Sequence, residues 1–149
     1  MHRILVLHGP NLDSLGAREP DLYGHASLAE VDLRLKQLGA ELECSLECLQ
    51  SNHEGVLIDA LHRSPDRADG VLLNPGGLTH TSVALRDAVL AAGIPVVEVH
   101  VTNPLARESF RQRSLISGAA LGVVQGFGAE SYLLGLRALA GHLARVRQT

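Results

Sequence analysis

Five short apolar runs punctuate the chain, at Ile4–Leu7, Leu42–Cys48, Gly70–Leu73, Val96–Val99 and Ala119–Val124. Between them lie longer segments whose apolar residues recur three and four apart, near Ser27–Leu38, Glu54–Arg63, Ser82–Ala92 and Glu130–Val146. Short apolar runs read as strands and the longer spacing reads as helix, so the alternation predicts a parallel sheet covered by helices. Local chemistry agrees. Ser27 stands three residues before Glu30, ahead of Leu28, Val31, Leu35 and Leu38, a capping box opening an amphipathic helix. Gly39 and Gly93 fall where left-handed C-terminal caps belong.

One run differs from the rest. Leu42, Cys44, Leu46 and Cys48 alternate with Glu41, Glu43, Ser45 and Glu47, which predicts a half-exposed strand. The other runs are apolar almost throughout, as strands covered on both faces are. A half-exposed second strand belongs at an edge. That fits a flavodoxin-like, doubly wound α/β fold: a five-stranded parallel sheet of order 2-1-3-4-5 with helices on both faces. Ligands of such sheets sit beyond the carboxyl ends of the strands, where strand order reverses. The loops after strands one, three and four are therefore the ones to read for function.

Composition narrows the partners. At 149 residues the chain suits one domain, 1–149, and its 46% apolar and 19% charged content fits a globular protein. Thirteen basic against sixteen acidic residues give a net charge of −3, and no basic stripe runs along any element, so nucleic acid is not an expected partner. No apolar run approaches the length of a membrane span, and the four-residue N-terminal run is too short for a secretory signal. Cys44 and Cys48 share one strand face, too far apart to bridge. Free thiols suit a reducing compartment, and the cytoplasm is the expected location.

The first loop carries Asn11, Arg18 and Tyr23 among Gly9, Pro10, Gly16, Pro20 and Gly24. A phenol titrates near 10, so using one as a base at neutral pH asks for roughly 4 kcal/mol, at about 1.36 kcal/mol per unit. A guanidinium in contact can supply much of that. Proton abstraction by this loop is a working hypothesis. The third loop, Asn74-Pro75-Gly76-Gly77-Leu78-Thr79-His80-Thr81-Ser82, pairs two glycines with a helix start whose free amides suit an anion. Asn74 and His80 can donate to hydroxyl or carboxylate oxygens, and Thr81 or Ser82 can cap the helix. After the fourth strand, Glu98 and His100 share a strand face, so the carboxylate can orient the imidazole and favour the protonated form that suits a general acid. Arg107 and Arg111, four apart, can present a guanidinium fork to a carboxylate.

Several chemistries lack their residues. Neither a phosphate-binding lysine loop nor a dinucleotide fingerprint occurs, the eight histidines lack zinc spacing, and the one lysine, Lys36, lies in a predicted helix. The loops then fit two classes of protein. One is a cofactor-free, metal-free acid–base enzyme. The other is a binding module holding a phosphate or sugar acid without chemistry, which has no use for Arg18, Tyr23 and His100 together.

A resemblance selects between them. Gly9-Pro10-Asn11-Leu12, Gly16-x-Arg18-Glu19-Pro20-x-x-Tyr23-Gly24, Gln50-Ser51-Asn52-His53-Glu54-Gly55 and Asn74-Pro75-Gly76-Gly77-x-Thr79-His80-Thr81-Ser82 resemble the type II 3-dehydroquinate dehydratases. So do Glu98-Val99-His100, Arg107-Glu108-x-Phe110-Arg111 and Gly126-Phe127-Gly128, in order along nearly the whole chain. The resemblance implies a lyase of the shikimate pathway that converts 3-dehydroquinate into 3-dehydroshikimate through an enolate, without cofactor or metal. By the same resemblance Tyr23 is the base, as phenolate, with Arg18 favouring its anion. Asn11 holds a water against the enolate, and His100, backed by Glu98, protonates the leaving hydroxyl. Asn74, His80, Arg111 and the backbone around Val101 and Thr102 would bind the substrate. Asp87 would reach a neighbouring subunit's site in a homo-oligomer, a dodecamer of four trimers. Asp13-Ser14 stands where the family usually has asparagine-leucine, which sets a negative charge in the lid toward an anionic substrate. His8 stands where asparagine is frequent.

Overall fold

The structure, a computed structural model, describes residues 1–148. Five parallel strands, β1 (His2–His8), β2 (Cys44–Gln50), β3 (Gly70–Asn74), β4 (Val96–His100) and β5 (Gly122–Gln125), form one sheet in the order β2-β1-β3-β4-β5. The helices are a single turn α1 (Pro20–Tyr23), then α2 (Leu28–Glu41), α3 (Glu54–Arg67), α4 (Val83–Ala92) and α5 (Glu130–Arg147). Ile4 and Val6 face a core built with Val31, Leu35, Leu136 and Leu139 of α2 and α5. Leu5 and Leu7 face the opposite core, with Leu57, Leu61, Leu85 and Val89 of α3 and α4. Successive residues of one strand thus feed two cores, which is why β1, β3 and β4 are apolar without alternation.

The edges depart from the expected pattern. Strand β2 begins at Cys44, because the Leu42 amide caps α2 through the carbonyls of Leu38, Gly39 and Ala40 and Glu43 turns the chain with φ 57°. Strand β5 begins only at Gly122; Ala119 and Ala120 form a turn whose amides donate to the Ile116 carbonyl. Nor is β5 covered on both faces, since Val123 and the preceding Leu121 stay exposed in the chain.

Two helix ends also differ. Gly39 is no cap: α2 continues to Glu41, and a Cβ at Gly39 would meet Leu46 Cδ1 at 2.6 Å, so the glycine lets the helix lie close on β2. Gly93 does adopt the left-handed conformation, φ 69°, at the end of α4. Helix α3 runs past Arg63 to Arg67 with Pro65 inside it. Proline removes the amide that the Leu61 carbonyl would accept. The buried Ser64 hydroxyl replaces it, donating to that carbonyl at 2.7 Å.

Candidate active site

The carboxyl ends of β1, β3 and β4 carry the expected site residues. Between β1 and β3 two backbones almost touch. Gly9 donates its amide to the Asn74 carbonyl at 2.7 Å, and Gly76, with φ 60°, brings its backbone against the Pro10 carbonyl. The long first loop is structured: a one-turn 3-10 helix, Leu12–Ser14, precedes α1, and Leu12 and Leu15 anchor it in the interior. This folding lays Arg18 and Tyr23 over the strand ends.

A cavity of about 130 Å³ opens there, and its wall includes Asn11, Arg18, Tyr23, Asn74, His80, His100, Val101, Thr102 and Arg111. The structure thus gathers nearly every expected site residue from loops far apart in sequence. Glu98 lies fully buried behind His100, outside the wall. Asp87 is exposed on α4 and takes no part in this chain's own cavity. A larger cavity of about 410 Å³ lies at the β2 edge, walled by β1, β2 and α3 residues including Leu5, Leu49, Arg63 and Arg67. It holds none of the expected site residues, and its size alone does not make it the reacting centre.

Tyr23 is flanked by two cations. The Arg18 guanidinium carbon lies 4.7 Å from the ring centroid and that of Arg107 lies 5.1 Å away. Sequence reading grouped Arg107 with Arg111 as a possible fork; its place beside Tyr23 depends on how the chain after β4 folds back. Arg107 Nη1 also donates to Thr102 Oγ1 at 3.1 Å, while its buried Nε has no hydrogen-bond acceptor.

His100 Nε2 lies 2.5 Å from Glu98 Oε2. Thr79 and Ser117 donate hydroxyls to the same carboxylate, at 2.8 and 2.5 Å. Burial pushes the Glu98 carboxyl up, but the hydrogen bond and charge of His100, with those hydroxyls, more than offset it and hold the group below its ordinary range. An ionised carboxylate only accepts, so Nε2 is the donor and Nδ1 is the His100 nitrogen left for a reacting group.

His80 and Asn74 are constrained in the same way. His80 Nδ1 donates to the Arg113 carbonyl at 2.7 Å, which leaves Nε2 as the nitrogen available to a ligand. Asn74 Oδ1 accepts from the Gly76 amide at 3.0 Å. That amide is therefore spent, and Ser82 caps α4 by accepting from the Leu85 amide. Two of the amides expected to bind an anion, those of Gly76 and Leu85, are thus already used. Arg111 keeps its terminal nitrogens for a ligand, as only its Nε donates, to Glu108 at 3.1 Å. Asp13 lies outside the cavity wall and accepts from Asn52 Nδ2 at 3.3 Å. Asn52 Oδ1 in turn accepts the Asn11 amide at 2.8 Å, holding that residue at φ 71°. The unusual carboxylate therefore braces the loop from outside the cavity.

Among the described residues, one set of potential metal ligands lies close together, His8, Asp32 and Cys48, within 4.8 Å of one another. Its geometry is that of hydrogen bonding. His8 Nε2 and Asp32 Oδ1 are 2.7 Å apart, and burial with the charge and hydrogen bond of Asp32 pushes the Cys48 thiol up to about 12, away from the thiolate a metal needs.

The fold and this site define a flavodoxin-like α/β protein whose cavity, at the switch in strand order, brings Tyr23 together with the Glu98–His100 pair. Comparison with known proteins specifies it further. Residues 2–140 match the family model described as dehydroquinase class II. The chain is 57% identical over 143 residues to a 3-dehydroquinate dehydratase of Gloeobacter violaceus, covering 96% of this chain and 89% of that protein. It is 56% identical to one of Desulforudis audaxviator, covering 96% and 95%. The crystal structure of a type II dehydroquinase from Butyrivibrio crossotus superposes with a TM-score of 0.91 at 36% identity, covering 93% of this chain and 97% of that one. This chain belongs to the class II dehydroquinase family.

Proposed function

We propose that this protein dehydrates 3-dehydroquinate to 3-dehydroshikimate, with Tyr23 as base and His100 as acid. The observation that carries the reading is one cavity holding Tyr23 between two guanidiniums and His100 backed by a carboxylate. The Tyr23 phenolate takes the proton from the carbon beside the ketone, and the electron pair moves onto the carbonyl oxygen as an enolate. Arg18 and Arg107 offset the negative charge of the phenolate before transfer. Asn11 steadies the enolate through a bound water. The enolate then collapses, the carbon–oxygen bond breaks, and His100 gives its proton to the departing hydroxyl, which leaves as water. Glu98 balances the charge on the protonated ring and keeps Nδ1 as the reacting nitrogen. A proton passing from Tyr23 to His100 by way of solvent resets the pair.

Arg111 supplies the fork for the substrate carboxylate, while Asn74, His80 and the backbone at Val101 and Thr102 fix the hydroxyls. Asp87, exposed and outside the wall of this cavity, serves a neighbouring subunit in a dodecamer of four trimers; a fully active monomer in sedimentation would remove that role. The principal test follows the product, a conjugated enone absorbing in the near ultraviolet. Wild-type protein should form it, and Tyr23→Phe should lower turnover about a thousandfold or more while still binding a substrate analogue. Near-normal turnover by that variant rejects the phenolate step.

A further inference from the structure

We propose that Tyr132 and His8 are positioning residues for Asn74, joined to it by a buried hydrogen-bond chain of fixed direction that starts at Asp32. The inference rests on the reading of the cavity as the substrate site.

His8 ends β1 and is fully buried. Its Nε2 lies 2.7 Å from Asp32 Oδ1 on α2, and its Nδ1 lies 2.9 Å from the Tyr132 hydroxyl on α5. A carboxylate only accepts, so Nε2 donates to Asp32; at the other end the Gly76 amide fixes Asn74 so that Nδ2 donates to the Tyr132 oxygen, and His8 Nδ1 is the acceptor within reach of the Tyr132 hydrogen. Tyr132 must then donate its one hydrogen to Nδ1. Its oxygen is left to accept, and it accepts from Asn74 Nδ2 at 2.9 Å. Burial pushes the Tyr132 hydroxyl above its usual range, despite the Asn74 hydrogen bond, so it stays a donor. Each link dictates the next.

The chain's end decides what the cavity meets. With Nδ2 committed to Tyr132 and Oδ1 to the Gly76 amide, Asn74 keeps one N–H and one oxygen lone pair, each in a fixed place. Rotating the amide by half a turn would set its oxygen against the Tyr132 oxygen, whose hydrogen is already given away. It would also set the NH₂ against the Gly76 amide. Two buried mismatches of that kind forbid the flip. Core filling alone requires neither polar atom, since phenylalanine and leucine would occupy the same space. Three elements thus converge on one side-chain amide.

Tyr132→Phe removes only the hydroxyl. It should raise KM about tenfold while kcat stays within about twofold, the signature of lost substrate binding. In an Asn74→Ala background the same change should leave KM where Asn74→Ala put it, because the group being steered is gone. His8→Leu should repeat the effect, whereas His8→Asn, which keeps an acceptor near the Nδ1 position, should come within about threefold of wild type. That pair carries the comparison if Tyr132→Phe folds poorly. The Asn74 side-chain amide resonances should also shift in Tyr132→Phe, a readout independent of turnover. An unchanged KM in Tyr132→Phe, a rise that persists undiminished without Asn74, or an unmoved amide resonance overturns the proposal. Wild-type protein that formed no enone would instead reject the site reading, and the amide resonance would still decide the hydrogen-bond chain.

Discussion

Gly9 and Pro75 stand so close that a Cβ on the glycine would lie 2.5 Å from the proline carbonyl oxygen. That contact, with the Gly9 amide bonded to the Asn74 carbonyl, ties the loop bearing Tyr23 to the loop bearing Asn74. Backbone cannot yield as a flexible side chain can. Gly9→Ala should therefore cost about 1–3 kcal/mol of stability and raise KM by spreading the two loops. Chemical denaturation and steady-state kinetics check both; a variant with native stability and KM would show that the junction is more compliant than its geometry implies.

Helix α3 offers a separate test. Ser64→Ala leaves the Leu61 carbonyl without its donor inside a buried turn, and should destabilise the protein by about 1–2 kcal/mol. Adding Pro65→Ala restores a backbone amide that can reach the same carbonyl. The double variant should recover most of the loss in denaturant unfolding, so the two changes will not add.

Arg107 touches Tyr23 through its ring face and Thr102 through Nη1. Arg107→Gln keeps a donor for Thr102 and removes the charge. It should lower kcat about tenfold, with a smaller change in KM, since a cation near an anionic base matters most before proton transfer. An equal rise in KM with kcat preserved would make it a substrate-binding group.

Much of this was legible in the chain. Strands β1, β3 and β4 stand out because two cores make them apolar on both faces, and the polar edge of β2 follows from Ser45 and Glu47. The misreadings have both remote and local causes. Gly39 resembles a cap until Leu46 packs against it. The helix expected near Glu54–Arg63 runs on to Arg67 because Ser64, beside the proline, replaces the amide that Pro65 lacks. That Asn11, Arg18, Tyr23, His80 and His100 would meet in one cavity was legible because they lie on the loops at the switch in strand order. Which His80 nitrogen is engaged was not, since that depends on the Arg113 carbonyl. Tyr132 and His8 were invisible as a pair: each, alone in an apolar element, reads as core.

In the proposed mechanism Glu98 joins stability to chemistry in one group. Its carboxyl is held below the ordinary value of 4.5, despite burial, by His100 and by the Ser117 and Thr79 hydroxyls. A group whose folded value is depressed contributes stability that is fully present above its unfolded value and is lost as pH falls through the folded one. Wild-type stability should therefore hold through pH 5–7 as far as this group is concerned and decline below about pH 4.5. Glu98→Gln removes the titrating carboxylate, so the variant should be less stable at pH 7 yet lose less on acidification. The same variant turns an obligate acceptor into an amide that can donate toward Nε2, freeing the His100 tautomer. Turnover should fall about a hundredfold or more with analogue binding retained, as expected when a general acid loses its orientation. Parallel acid slopes for wild type and variant, or turnover within twofold, would show that Glu98 does neither job.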